Sequence, residues 1–555
     1  MPLPTRRLDG VKRFRLLATS REVLSRVLTL GVSWRLHAKP AWGDRLISEI
    51  NSVLAFSDWH PDHFLDTAEM TAAVAIAYEW MDHELDAATR ARWRQGLVNL
   101  GLIPGSNDDA WWVAAHNYWN QVCHGGMIIG TLAVAEDEPE VAQRFLRRAY
   151  THVPTALAAY APAGVYPEGP TYWSYGTSFT VLTVAALESA LGHDGGICAS
   201  PGFRASFTVV AQSHGPTGLA FNYGDFGLGI GRSGLHLWAA RRWQQSELAQ
   251  RAWPAFAAWL ENPPAFANDS LGDRFLALAL IWYTPVCQPA SALPATCIAR
   301  GGKVELALLR TQGDDPNAAF VGFKAGMLQV NHGHLDLGSF VFEVDGVGWA
   351  HDFGMEKEIY DRNDSWALDQ ESARWHFLRA HNYGHNTVTI GGHLQQVSGM
   401  ARLGATAGGA DRAHAVLDLS PPYTDQAQHV QRGVALIGGR RHPLIQDEIV
   451  GASGPIRWTW ITRAHISLAE NGRRAGLQEN GRHLTLVLHS ALPTIRFAVD
   501  DCVPPTVAEQ QNEGFQRLFI DSPPSDAHLI VIASPGDERC VCEPGHPLAR
   551  WTHRD

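Results

Sequence analysis

The feature that most constrains the fold is a change of hydrophobic period near residue 290 of the 555-residue chain. From Leu16 to about Ala290 apolar residues recur at three and four spacing, which predicts helices through Trp42 to Phe56, Phe64 to Met81, Ala87 to Leu102 and Asn117 to Ala135. From Val304 onward short alternating runs take over: Val304–Arg310, Ala319–Ala325, Ser339–Val344, His385–Ile390, His414–Leu419, Ile456–Ile461, Leu484–His489 and His528–Ser534. Between the two patterns lie Pro285, Pro289 and Pro294, so we place a boundary there and expect two domains, 1–290 and 291–555. Paired helices with short Gly, Pro, Asp and Asn connections predict a solenoid or a closed ring of hairpins. Regularly spaced strands with turn residues between them predict an antiparallel β-sandwich.

Composition narrows the function classes. A formal net charge of -11 gives no support to nucleic acid as a partner, because a duplex binder normally presents a basic face. An anionic small or polymeric substrate stays open through a local cluster of cations. The 20 Trp and 26 His are high, and Trp suits sugar-stacking surfaces as well as helical cores. The seven cysteines show no metal-binding or oxidoreductase spacing, so no disulfide framework is expected. The first fifteen residues carry Arg6, Arg7, Lys12, Arg13 and Arg15 without an apolar core, which is not the pattern of a signal peptide. No run of about eighteen apolar residues is present for a membrane span. The chain as given therefore reads as soluble and cytoplasmic, or as periplasmic or secreted where a leader has been removed. Oligomeric state is not legible.

One stretch stands out chemically: Asn331-His332-Gly333-His334-Leu335-Asp336-Leu337-Gly338-Ser339-Phe340. Read as an extended strand, it puts His332, His334 and Asp336 on one face. With Asp352 in His351-Asp352-Phe353-Gly354 and His385 in Gly384-His385-Asn386-Thr387, the imidazoles and carboxylates are the donor types of a zinc or similar divalent site with a histidine to spare.

Two further constellations sit in the helical half. In His116-Asn117-Tyr118-Trp119-Asn120-Gln121-Val122-Cys123-His124 a helix opens after a Trp-rich loop, and its spacing points Asn117, Asn120 and His124 into one cleft, unless Asn117 serves as the cap. An amide and an imidazole together can hold a carboxylate by hydrogen bonds. In Tyr166-Pro167-Glu168-Gly169-Pro170-Thr171-Tyr172-Trp173-Ser174-Tyr175-Gly176 a loop presents phenols. A phenol titrates near about 10, so it can act as an acid unaided and as a base only with cationic help.

Together, His-Gly-His-Leu-Asp-Leu-Gly-Ser-Phe, His-Asp-Phe-Gly and His-Asn-Thr-Val resemble the C-terminal signature of the heparinase II/III-like polysaccharide lyases. Trp119 to Gly126, Tyr166 to Gly176 and Phe64-Leu65-Asp66-Thr67-Ala68-Glu69-Met70 are similar to that family's helical half. The resemblance covers about Ala41 to Gly392. It implies an incomplete (α/α) toroid followed by a C-terminal antiparallel β-sandwich, and β-elimination at a uronic acid that leaves an unsaturated sugar. By resemblance, Asn120 helped by His124 holds the uronate carboxylate, Tyr175 protonates the leaving oxygen with Tyr172 as its alternate, and His332 is the second base. His334, Asp352 and His385 match the family's metal ligands, with zinc ahead of manganese and a structural role for the ion. Asn117, Trp119, Tyr172, Glu168, Arg374 and Arg379 are candidates for substrate contacts, the two arginines through bidentate binding of carboxylate or sulfate. Tyr223 and Asp225 either line the cleft or form a turn.

The resemblance places glycosaminoglycans such as hyaluronan, chondroitin sulfate and heparan sulfate ahead of alginate as substrates. A toroid glycoside hydrolase is the alternative, and would need two carboxylic residues flanking one bond, drawn from Asp66, Glu69, Glu168 and Asp225. A non-catalytic glycan-binding protein is the third reading.

Overall fold

The computed structural model describes residues 1–10, 14–227, 234–261, 273–285, 294–311, 315–536 and 546–552. The chain divides into two compact units. The first comprises Met1–Ala161, Thr171–Phe207 and Gly231–Ala290, the second Pro162–Pro170, Thr208–Ile230 and Ser291–Asp555. The boundary expected at 290 and 291 lies outside the described residues. Two segments of the helical half nevertheless group with the second unit, because Gly169, Tyr223 and Asp225 are held by backbone and side-chain bonds within it.

The first unit is helical, with α1 Leu17–His37, α2 Pro40–Leu54, α3 Phe64–Met81, α4 Ala87–Gly96, α5 Tyr118–Ala133, α6 Pro139–Leu157, α7 Pro170–Leu191, the first half of α8 Phe203–Gln212, α9 Leu235–Trp243, α10 Ser246–Glu261 and α11 Leu276–Trp282. Helix α3 is apolar on nearly every side and is buried along almost its whole length between α1 and α5, as a helix without a polar face must be. Close approach of α5 to α3 is possible because Gly126 has no Cβ; one there would lie 2.3 Å from the Ala68 carbonyl oxygen. The period predicts one helix over Ala87 to Leu102, and the chain instead continues from α4 as a π-helical turn over Leu97–Leu102. Among the described residues no helix is long and apolar enough to cross a membrane.

The second unit carries three antiparallel sheets. In one, β1 Thr296–Ala299, β2 Val304–Arg310, β3 Phe320–Met327, β4 Phe340–Val344 and β5 Val347–Ala350 follow in order, with β7 Met400–Ala401 paired to β3. A four-stranded sheet has the order β16-β17-β12-β6, from Phe497–Asp501, Gln516–Ser522, Ile456–Thr462 and Val388–Ile390. The largest has the order β13-β14-β15-β18-β11-β10-β9-β8, whose strands are His465–Leu468, Arg474–Glu479, Arg482–His489, Ala527–Pro535, His442–Val450, His429–Ile437, Ala413–Asp418 and Leu403–Gly408. Phe340, Phe342, Trp349, Trp458 and Trp460 join Leu417, Val434 and Leu486 in one continuous core. Seven of the 20 tryptophans rank among the largest fully buried side chains, so core filling accounts for much of the Trp content.

Candidate active site and metal centre

The stretch from Asn331 to Ser339 is not a strand; it is a buried connection between β3 and β4. His332 lies at φ 58, in the left-handed region, and Gly338 at φ 80, so the alternation expected of an extended chain is broken at both ends. Buried main-chain groups need partners, and these fix the loop: Asp225 N–H donates to the His332 carbonyl at 3.1 Å, Leu335 N–H to Ala380 at 2.9 Å and Gly338 N–H to Lys324 at 3.0 Å. His332 and His334 consequently turn to one carboxylate, that of Asp225, and Asp336 turns away from it. Asp336 forms a fully buried ion pair with Lys324 and takes no part with the histidines.

Asp225 is the hub of the site. Its Oδ2 meets His332 Nδ1 at 2.8 Å and accepts from the Tyr360 hydroxyl at 2.8 Å. Its Oδ1 meets His334 Nε2 at 2.9 Å and accepts from Arg374 Nη2 at 2.7 Å. Burial alone would raise this carboxyl, but Arg374 with His332 and His334 reverses that and holds it well below the usual carboxylate range. Burial depresses the His332 imidazole despite the Asp225 charge beside it. A neutral imidazole facing an ionised carboxylate through Nδ1 keeps its lone pair on Nε2, the arrangement of a general base. Tyr360 stacks on the His332 ring at 5.9 Å and Trp366 meets it edge-on at 5.5 Å, fixing the ring's plane.

His334, Asp352 and His385 converge, with ligand atoms all within 4.8 Å of one another. His385 Nδ1 lies 2.6 Å from Asp352 Oδ2, and Gly354 N–H donates to Asp352 Oδ1 at 2.8 Å. The remaining ring nitrogens, His334 Nδ1 and His385 Nε2, are buried with no hydrogen-bond partner among the described residues. Orphaned buried acceptors are costly, and two beside a carboxylate fit a divalent cation. Asp225 behind His334 stands where an outer carboxylate would orient that imidazole toward an ion. Asn386 ties the region together, donating to Phe340 and His351 carbonyls at 2.8 and 2.9 Å and accepting from Ile461 N–H at 2.6 Å.

In the helical unit the α5 constellation folds inward. Asn117 caps α5 by accepting from Trp119 N–H at 3.1 Å, so it does not share a cleft-facing role with Asn120. Asn120 donates to the carbonyls of Val113 and His152 at 2.8 and 3.1 Å, and His124 Nε2 lies 3.1 Å from the same Val113 oxygen. Both are buried, and burial pushes the His124 imidazole down to about 3. The expected carboxylate clamp is therefore spent on main-chain carbonyls, that of Val113 in the Trp-rich loop and that of His152 in α6. Trp119 is half-buried between His63 and the Trp111 ring, which stands 61% exposed.

Tyr175 is buried, its hydroxyl donating to Glu69 and its ring lying 5.0 and 4.9 Å from the Arg21 and Arg274 guanidinium carbons. Glu69 in turn pairs Arg21 at 3.2 Å and Arg274 at 2.8 Å. Burial, reinforced by the Glu69 charge, raises the phenol well above its usual range, so it stays protonated. The Tyr172 ring packs on Tyr118 at 4.6 Å.

Three substrate-contact candidates are committed within the second unit. Glu168 accepts from Asn331 Nδ2 at 2.7 Å and lies 3.9 Å from His332 Nε2. Arg374 is fully buried on Asp225 and the Gly333 carbonyl. Arg379 reaches Asn512, Met355 and Gln511. Neither arginine presents the open fork that bidentate anion binding requires, because each satisfies main-chain carbonyls of its own loops. Sequence reasoning missed Tyr360 and Trp366 around His332, and read Asp225 as a cleft or turn residue or as a carboxylic residue of the alternative hydrolase, not as the partner of both histidines. The one sequence signal at Asp225 is an acid inside an apolar Phe-Asn-Tyr-Gly context, which calls for a buried partner.

Residues 294–538 match the family model described as heparinase II/III-like, C-terminal. No curated protein matches the chain. Among solved structures, a heparan sulfate lyase from Pedobacter heparinus is similar over 93% of this chain and 76% of its own, with 13% identity and a TM-score of 0.58. A structure of heparinase III is similar over 93% of this chain and 77% of its own, with 11% identity and a TM-score of 0.61. At such identities the likeness establishes the fold: a helical toroid-type region followed by an antiparallel, sheet-rich one.

Proposed function

We propose, from a chain whose residues 294–538 match the heparinase II/III-like C-terminal model, that this protein is a polysaccharide lyase acting by β-elimination on uronate-containing chains. The observation that carries this reading is His332, a neutral imidazole fixed through Nδ1 by a buried, ionised carboxylate. A hydrolase needs two carboxylic residues flanking a bond, and in this unit Asp225 is already occupied by four partners. In the elimination His332 Nε2 removes the uronate C5 proton, the electrons pass into the C4–C5 bond and the bond to O4 breaks. A tyrosine returns a proton to the leaving oxygen. Tyr175 is already bonded to Glu69, which favours Tyr172 as that acid. The role first expected of Asn120 and His124 is not carried into this reading, since their N–H groups answer main-chain carbonyls. Glycosaminoglycans come ahead of alginate as substrates; the similar structures include a heparan sulfate lyase.

The test is ultraviolet absorbance from the C4–C5 unsaturated uronate during incubation with hyaluronan, chondroitin sulfates, heparan sulfate and alginate in turn. Absorbance should rise with at least one polymer, and Tyr172→Phe should lower that rate by about 10²–10⁴-fold. New reducing ends without absorbance would overturn the lyase reading in favour of hydrolysis.

His334, Asp352 and His385 are the residues that would hold a zinc ion, which two imidazoles and a carboxylate suit better than manganese. An ion there would brace the loop that bears His332. Elemental analysis of protein dialysed against zinc should find one bound equivalent, and His385→Ala should abolish it. Removal by a chelator should lower the unfolding temperature; an unchanged melt would exclude a bracing role.

A further inference from the structure

We propose that Asp225 is a positioning residue that sets opposite tautomers on His332 and His334, one carboxylate thereby fixing where the base keeps its lone pair and where the metal finds a ligand. The inference rests on the reading above and deepens it. A neutral imidazole has one N–H and one lone pair, and a nitrogen 2.8 or 2.9 Å from an ionised carboxylate oxygen must be the one that carries hydrogen. The two rings present different nitrogens to Asp225, Nδ1 from His332 and Nε2 from His334. Their lone pairs consequently fall on His332 Nε2 and His334 Nδ1. The latter is the buried nitrogen without a hydrogen-bond partner, which lies in the triad with Asp352 and His385. The left-handed turn at His332 is what allows two histidines only two residues apart to approach one carboxylate with different edges.

The four contacts divide two and two between the oxygens, but only the Oδ1 side holds a donor that cannot turn into an acceptor, and this gives the proposal a sharp consequence. Arg374 is fixed at both ends, with Nε on the Gly333 carbonyl at 2.8 Å and Nη2 on Asp225 Oδ1. In Asp225→Asn the amide oxygen must therefore stay on the Arg374 and His334 side. The amide NH₂ takes the Oδ2 side, where it faces His332 Nδ1 and the Tyr360 hydroxyl. The hydroxyl can turn and accept; His332 Nδ1 can accept only by moving its hydrogen to Nε2, which removes the base's lone pair. His334 keeps its tautomer.

Asp225→Asn should accordingly bind zinc at the wild-type stoichiometry while kcat for elimination falls about 100-fold or more, with KM within about threefold. Nuclear magnetic resonance of protein labelled with ¹⁵N-histidine reads the cause directly. In the wild type His332 should carry its hydrogen on Nδ1 and His334 on Nε2, with resonances assigned from the His332→Gln and His334→Gln spectra. In Asp225→Asn only His332 should exchange. A wild-type spectrum with either tautomer reversed would overturn the proposal even if the variant fails to fold, as would an Asp225→Asn protein that keeps its wild-type kcat. A wild type that eliminates on no polymer would sink the lyase reading while leaving the tautomer measurement to decide the role of Asp225.

Discussion

His332→Gln is expected to lower kcat for elimination by about 10²–10⁴-fold while KM changes only a few-fold, the signature of a group that acts in the transition state rather than in binding. Glutamine is close to histidine in reach and can still meet Asp225, so the loop should keep its conformation. What it lacks is a lone pair basic enough to take a proton from carbon. Tyr360 and Trp366 enclose the ring and Asp225 anchors its Nδ1, so loss of the imidazole is not made good by a neighbour. Initial rates from the unsaturated-uronate absorbance, with bound zinc and the melting temperature measured alongside, separate loss of chemistry from loss of fold. A kcat within threefold of wild type would remove His332 from the mechanism.

The second large effect is on stability. Arg432 on β10 stands opposite Asp447 on β11, and the two form a fully buried bidentate pair at 2.7 and 3.0 Å. The other end of the guanidinium donates to the carbonyls of Gly338 and Asn386, both at 2.8 Å. One cross-strand pair thus anchors the loop that carries His334 and the segment that carries His385. Asp447→Ala leaves a buried cation without its counter-charge, which costs about 3–5 kcal/mol. For a unit of this size that is a fall in unfolding temperature on the order of 10 °C. The double change Arg432→Met with Asp447→Leu should recover only part of it: the charge problem is gone, but two buried carbonyls are left unpaired at about 1–3 kcal/mol each. Calorimetry on the three proteins checks the order, and an Asp447→Ala melt within about 2 °C of wild type would contradict it.

Eight strand runs of the second unit were legible in the sequence, Val304–Arg310 with the limits the structure gives it, whereas their pairing and register were not. Val304–Arg310 is buried at every position, so what reports it is a short, mostly apolar run bounded by turn residues rather than alternation. Helix α3 was read with its limits correct for a related reason, a long apolar run bounded by changes of pattern. The same logic failed at Asn331 to Ser339. Alternation there mimics a strand, yet every residue from His332 to Ser339 is buried, and burial on all sides carries no period.

Sequence by itself determined the change from helical to sheet architecture and the residue types that meet in the His334, Asp352 and His385 cluster, because these depend on local spacing and side-chain chemistry. Tertiary structure alone decided that Asp225, 107 residues before His332, is its partner, and that Arg374 and Arg379 serve the protein's own loops. The reason is physical: whether a polar group is available to a ligand depends on which buried main-chain and side-chain groups must be satisfied around it, and that demand is set by residues distant in the chain.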